Sequence, residues 1–138
     1  MTRKTVTITW HRKVTLTIDG DGFGVLDDQA KLAFTEGQCH ALAIALNSLT
    51  GWTIKGLGNP YYDSPRSPSH VVVYSSKLRL YVDIEGAWGR SGLRANSNKV
   101  VNRNVSTSLA RCLDNYLKPN VQAAMPFAKS ILRTLGEL

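Results

Sequence analysis

Two stretches near the start of the chain alternate apolar and polar residues with period two. TVTITW (Thr5 to Trp10) and VTLTID (Val14 to Asp19) each read as a half-buried strand, and His11-Arg12-Lys13 between them is short enough for a hairpin loop. The pattern turns Val6, Ile8 and Trp10 inward, with Val14, Leu16 and Ile18 beside them. Asp19-Gly20-Asp21-Gly22 then breaks the alternation as a turn; an EF-hand loop would need a glutamate where Ala30 stands. After a short helix over 27–34, Thr35 and Gln38 have capping-box spacing. The apolar run that follows predicts a helix to Leu49, with Leu42, Ala45, Leu46 and Leu49 on its buried face and Gly51 at its end. Trp52 to Leu57 reads as a strand, and Gly58 to Ser69, with three prolines and two tyrosines, as a long loop. VVVY (Val71 to Tyr74) and LRLYVDI (Leu78 to Ile84) are strands joined by Ser75-Ser76-Lys77. Gly86 to Asn104 is rich in Gly, Ser and Asn and reads as loop. Two helices follow, Val105 to Leu117 and Val121 to Leu135, the second with Pro126 in its early turns. This order predicts an α+β fold: an antiparallel sheet built from hairpins, packed against the Cys39 helix and the two C-terminal helices.

With 138 residues, 43% hydrophobic and 20% charged, the chain is expected to be a single domain, residues 1–138, able to bury a core without metal or disulfides. There is no apolar run of membrane-spanning length and no secretory leader pattern at MTRKTVTITW, so the expectation is a soluble cytoplasmic protein with no membrane partner. Cys39 and Cys112 lie far apart in different contexts, which fits a reducing compartment in which thiols stay free. The net charge of +7 allows nucleic acid as a partner through a basic surface. The lysines and arginines are dispersed, however, with no block of five and no aromatic-interleaved nucleic-acid signature.

The candidate chemistry centres on GQCHALAIAL, Gly37 to Leu46, where Cys39 stands at the head of a predicted helix. A nucleophilic thiol needs an imidazole and the positive end of a helix to hold it as thiolate, and the imidazole needs a carboxylate or amide to orient it. His70 at the start of one predicted strand and Asp83 near the end of the next supply those parts. Folding the hairpin about Ser75 to Lys77 brings His70 opposite Asp83, where the two share a face, or one residue off it, where they do not. His40 follows Cys39 about 100° around the helix, a surface or supporting position. Cys112, in SLARCLDNYL, has no such partners and is expected in the core. A zinc site from Cys39, His40, His70 and Asp83 lacks the paired spacings of zinc motifs, and neither metal nor cofactor is assigned. Gln38 reads as a helix cap, which leaves the Cys39 backbone N–H as the oxyanion donor. Trp88, after Asp83, and Tyr61 and Tyr62, in the loop before His70, are the candidate substrate-binding residues.

Gly37-Gln38-Cys39 with Ala43, Leu46 and Gly51, then Ser69-His70-Val71-Val72-Val73 and Tyr81-Val82-Asp83-Ile84-Glu85-Gly86, resembles the transglutaminase-like branch of the papain-fold cysteine enzymes. The resemblance covers 37–86. It implies a papain-like core with Cys39 as nucleophile, His70 as general base and Asp83 as the orienting acid. It also implies a thiol-dependent hydrolase or acyl transferase, of protease, deamidase or deconjugase type, acting on an amide or thioester of a protein or peptide substrate. Thr35 and Glu36 stand where the N-acetyltransferase members carry an arginine, and no cofactor motif is visible, so hydrolysis is placed ahead of transfer. The alternative reading is a small basic binding module without catalysis, with a nucleic acid or protein partner, of the size and charge of a phage or mobile-element accessory protein.

Overall fold

A computed structural model describes residues 3–9, 13–35, 37–58, 66–89, 101–113 and 116–138. The alternating N-terminal stretches form a two-stranded antiparallel ribbon, β1 (Lys4–Thr9) and β2 (Lys13–Ile18), with Val6 opposite Leu16 and Ile8 opposite Val14. Ile8, Val14, Leu16 and Ile18 are buried, and Val6 packs against them. Trp10 and His11 lie outside the described residues. The acidic turn that follows is organised by Asp19, whose carboxylate accepts the backbone N–H groups of Asp21 (2.9 Å) and Phe23 (3.0 Å). These bonds, the one from Phe23 foremost, hold its pKa below the ordinary value.

Helix α1 (Asp28–Thr35) starts where the Asp27 carboxylate accepts the Ala30 N–H at 2.9 Å. Helix α2 (Cys39–Thr50) ends at Gly51. Every side chain from Cys39 to Leu46 is buried, so α2 is a central helix rather than a half-exposed one. Ala41, Ala43 and Ala45 are small enough to let neighbouring elements close in on several sides. Leu49, expected inside, is exposed at 39%, because only the first two turns of the helix are enclosed.

Among the described residues the main sheet has five antiparallel strands in the order β6-β5-β4-β3-β7: β3 (Thr53–Gly58), β4 (His70–Ser75), β5 (Leu80–Asp83), β6 (Gly86–Trp88) and β7 (Val101–Asn104). One face supplies Ile54, Val71, Val73, Val82 and Ile84 to the core shared with α2. The other gathers Leu57, Val72 and Tyr81, with Tyr74 and Trp88 against them. The fold is therefore α+β with antiparallel sheets, as the pattern predicts, but the segment 86–104 differs from the expected loop. Its two ends are the outer strands, β6 on β5 and β7 on β3. Both are too short for alternation to mark them, and they are strands because a neighbour offers backbone partners.

The helix expected over 105–117 is also reduced, to α3 (Thr107–Ala110), capped by the Ser106 hydroxyl, which accepts the Leu109 N–H. Thr, Ser, Cys and Asp there are all weak helix formers, and Pro119 follows. Cys112 is accordingly exposed instead of buried, its thiol donating to the Ser108 carbonyl at 3.2 Å. Helix α4 (Val121–Thr134) packs on α2 and is capped by the Asn120 side chain, which accepts the Ala123 N–H. No helix of the described residues is long and apolar enough to cross a membrane.

Gly24 ties the acidic turn to α4. Its N–H donates to the Pro126 carbonyl (2.9 Å), and its own carbonyl accepts the Ser130 hydroxyl. A methyl group on Gly24 would overlap the Phe127 ring, which is fully buried and packed 5.3 Å from Phe34. Gly24→Ala is therefore expected to destabilise the protein by about 1–3 kcal/mol through overpacking. The measurement is the urea midpoint, and an unchanged midpoint would show that α4 can move aside freely.

Candidate active site

The link between α1 and α2 sets the position of the cysteine. Gly37 has φ of 120°, a conformation that strains any residue with a side chain, and it separates α1 from α2. Gln38 then precedes α2, but its side chain makes no cap. Its amide reaches across the molecule, donating through Nε2 to the Lys118 carbonyl (3.2 Å) and accepting the Asn120 N–H at Oε1 (3.0 Å). The capping-box expectation is thus replaced by a long-range clasp, which keeps Gln38 buried. Cys39 is the first residue of α2, so its backbone N–H has no intrahelical acceptor, and its side chain lies at the positive end of the helix dipole.

His70 opens β4, and Asp83 closes β5. The hairpin pairs Val73 with Val82, Tyr74 with Tyr81 and Ser75 with Leu80. Its turn runs over 76–79 instead of the shorter connection expected, with Arg79 at φ 56°. Continuing that register sets Val72 across from Asp83. His70 therefore sits one diagonal step along the same face, neither directly opposite Asp83 nor turned away from it. The longer turn preserves parity, and the contact is made: His70 Nε2 lies 3.0 Å from Asp83 Oδ2. The other carboxylate oxygen, Oδ1, accepts the Glu85 N–H at 2.9 Å, so both oxygens of Asp83 are occupied.

Asp83 fixes the Nε2 side of the ring and leaves Nδ1 for the thiol. Burial pushes the Cys39 thiol up, but the neighbouring imidazoles of His40 and His70, the charge of His70 and the Val71 backbone N–H outweigh it and bring the pKa down to about 6. Burial likewise pushes His70 down, and the hydrogen bonds and charges of Asp83 and Cys39 carry it up to about 10. Between those values the pair is a thiolate facing an imidazolium. Cys39 is 3% exposed while the His70 side chain keeps 24%, so the site meets solvent on the imidazole side.

Of the other expected site residues, Trp88 is half-buried on β6 and stacks on Tyr81, ring centres 5.1 Å apart, with Tyr74 continuing the ladder at 4.9 Å. By register this ladder shares the face that carries Asp83. Tyr61 and Tyr62 lie outside the described residues. Among the described residues no group of three or more His, Cys, Asp and Glu side chains has metal-holding geometry.

Of the two positions expected for His40, surface or supporting, the surface one is excluded. His40 is fully buried, its Nε2 is 2.7 Å from the Leu117 carbonyl oxygen, and its ring meets the edge of Tyr116 at 5.0 Å. Tyr116 in turn donates its hydroxyl to the Pro68 carbonyl, just before His70. The available signal was a lone imidazole among apolar residues on every side of a short helix. Comparison with models of protein families, with curated proteins and with solved structures finds no match to this chain.

Proposed function

We propose that this chain is a thiol-dependent hydrolase or acyl transferase acting on an amide or thioester, with the papain-like, transglutaminase-like arrangement that the sequence resembles. The observation that carries the reading is His70 held by Asp83 through Nε2, beside a Cys39 thiol at the head of a buried helix. In the proposed reaction the Cys39 thiolate attacks the carbonyl carbon and forms a C–S bond, while the Cys39 backbone N–H supports the developing oxyanion. The bond to the leaving amine or thiol breaks, and His70 gives up the proton it took from Cys39. Water, or an acceptor amine, then attacks the thioester, passes its proton to His70 and frees the sulfur. Trp88 and the tyrosines beside it offer an apolar wall on the face of Asp83 for a peptide side chain.

The test uses p-nitrophenyl acetate as acyl donor. A burst of nitrophenol close to one equivalent, with the acetyl group mapped to Cys39 by mass spectrometry, is the expected result. Acetylation of Cys112 alone, together with salt-sensitive retention of the protein on DNA, would move the reading to a basic binding module.

A further inference from the structure

The residues on either side of Cys39 are both tied to one later run of the chain, 116–120. Gln38 donates to the Lys118 carbonyl and accepts the Asn120 N–H, and His40 donates from Nε2 to the Leu117 carbonyl. Tyr116 opens this run and reaches the other way. Its ring meets that of His40 edge-on, centres 5.0 Å apart, while its hydroxyl donates to the Pro68 carbonyl. Pro68 is buried two residues before His70. It also packs against Gly56 of β3, where an added methyl carbon would stand 3.2 Å from Pro68 Cβ and 3.1 Å from Val105 Cγ2. The β3–β4 pairing begins with His70 across from Leu57, so Pro68 lies outside the ladder, and Tyr116 and Gly56 help to place it. One side chain thus touches the residue after the candidate nucleophile and the residue two before the candidate base.

Such a link answers a need that the rest of the site leaves open. His70 and Asp83 belong to one sheet, and their hydrogen bond lies within it, whereas Cys39 sits on a helix laid against that sheet. The packing between the two layers is apolar, and apolar contact is non-directional: it sets the spacing of the layers but not their register. Directional bonds do that. We propose that Tyr116 is a positioning residue for the Cys39–His70 pair, fixing the first residue of β4 against the head of α2 by joining Pro68 to His40. This inference rests on the reading of Cys39 as nucleophile and His70 as its base. Tyr116 touches neither reacting atom and acts through Pro68 and His40. A misplacement of about 1 Å between reacting groups can cost about 10²-fold in rate, so a contact of this kind acts on chemistry before it acts on the fold.

The experiment is Tyr116→Phe, which keeps the ring against His40 and removes only the donor to Pro68. Two quantities are read: the burst rate constant with p-nitrophenyl acetate, together with its half-saturating ester concentration, and the pH profile of iodoacetamide alkylation at Cys39. Peptide mapping counts exposed Cys112 apart. The burst is expected to slow about tenfold at nearly constant half-saturation, and the alkylation inflection to rise toward the ordinary thiol value of about 8.5. Ile8→Val, a core truncation in the β1–β2 ribbon, is the control for lost stability and should leave both quantities unchanged. Because Tyr116 acts through His70, Tyr116→Phe added to His70→Ala should leave the alkylation profile of that background as it is. A Tyr116→Phe profile that superposes on that of the unmodified protein overturns the inference, and so does an equal shift in the His70→Ala background or in Ile8→Val. Should Tyr116→Phe fail to fold by circular dichroism, Gly56→Ala, which crowds Pro68 from β3, is read by the same criteria. If neither folds, the contact holds the fold and not the site, and the inference is overturned. A Cys39 no more reactive than Cys112 in the unmodified protein removes the nucleophile reading itself, whereas a reactive Cys39 indifferent to Tyr116 removes only this inference.

Discussion

Cys39→Ser is expected to lower turnover of p-nitrophenyl acetate by on the order of 10³-fold or more while the circular dichroism spectrum stays native. Oxygen fits where sulfur stood, so the packing at the head of α2 survives. A serine hydroxyl, however, is far too weak an acid to be ionised by His70. The same variant has a thermodynamic signature. Cys39, lowered in the fold from 9.0 to about 6, is ionised there while the unfolded chain still holds the proton, so its contribution to stability grows between those pH values and is lost as pH falls through the lower one. His70, raised from 6.5 to about 10, contributes fully below 6.5 and loses its contribution as pH rises through about 10. Across the shared window the two slopes oppose each other, one proton each, and the unmodified protein should show little pH dependence from this pair. Cys39→Ser deletes the rising slope and leaves the falling one, weakened but still set by Asp83. Urea midpoints at pH 7 and 9 should therefore coincide for the unmodified protein and fall with pH for the variant. Full turnover in Cys39→Ser would end the catalytic reading.

Asp83→Asn is expected to cost roughly 10²–10⁴-fold in the same assay, by a different route. Asp83 accepts two hydrogen bonds, His70 Nε2–H at one oxygen and Glu85 N–H at the other. An amide can satisfy only one of them. If its oxygen faces His70, its NH₂ group meets the Glu85 N–H donor against donor. If it turns over, the NH₂ group faces Nε2 and forces the proton onto Nδ1, the nitrogen that should receive the thiol proton. Either orientation also removes the carboxylate charge that helps hold His70 at about 10. The high-pH limb of the rate profile should consequently move down, while the limb near 6, which reports Cys39, should weaken with it. A rate profile identical to that of the unmodified protein would mean that another group orients His70.

The alternating stretches were legible because half-burial imposes a period of two, and so were both hairpins and the order of Cys39, His70 and Asp83. Where the reading failed, long-range partners decided the outcome. The strands at Gly86–Trp88 and Val101–Asn104 exist because β5 and β3 present free edges to them, which no three- or four-residue window records. The 105–117 segment has a helical spacing of apolar residues but also weak helix formers, and it stops after Ala110. Gln38 looks like a cap by spacing alone. Its amide instead satisfies backbone groups of Lys118 and Asn120, distant in sequence and near only after folding. His40 falls off the face that Leu42, Ala45, Leu46 and Leu49 mark as buried, yet the helix is enclosed there too. Nothing local says that a helix will be enclosed on all sides, except an unbroken apolar run as short as this one.

The stretch from Tyr116 to Asn120 has no regular structure, yet its hydroxyl and backbone groups reach Pro68, His40 and Gln38. All three candidate side chains are encoded between positions 39 and 83, but the head of α2 is braced by a strap drawn from much later in the chain. A ribosome that has released only the first hundred residues has made every atom of the candidate catalytic machinery and the hairpin that pairs His70 with Asp83, but not the strap that braces the head of α2. Reactivity at Cys39 should therefore arrive late in synthesis, after the strap has emerged, leaving the nascent chain without a competent thiolate while it is still being made.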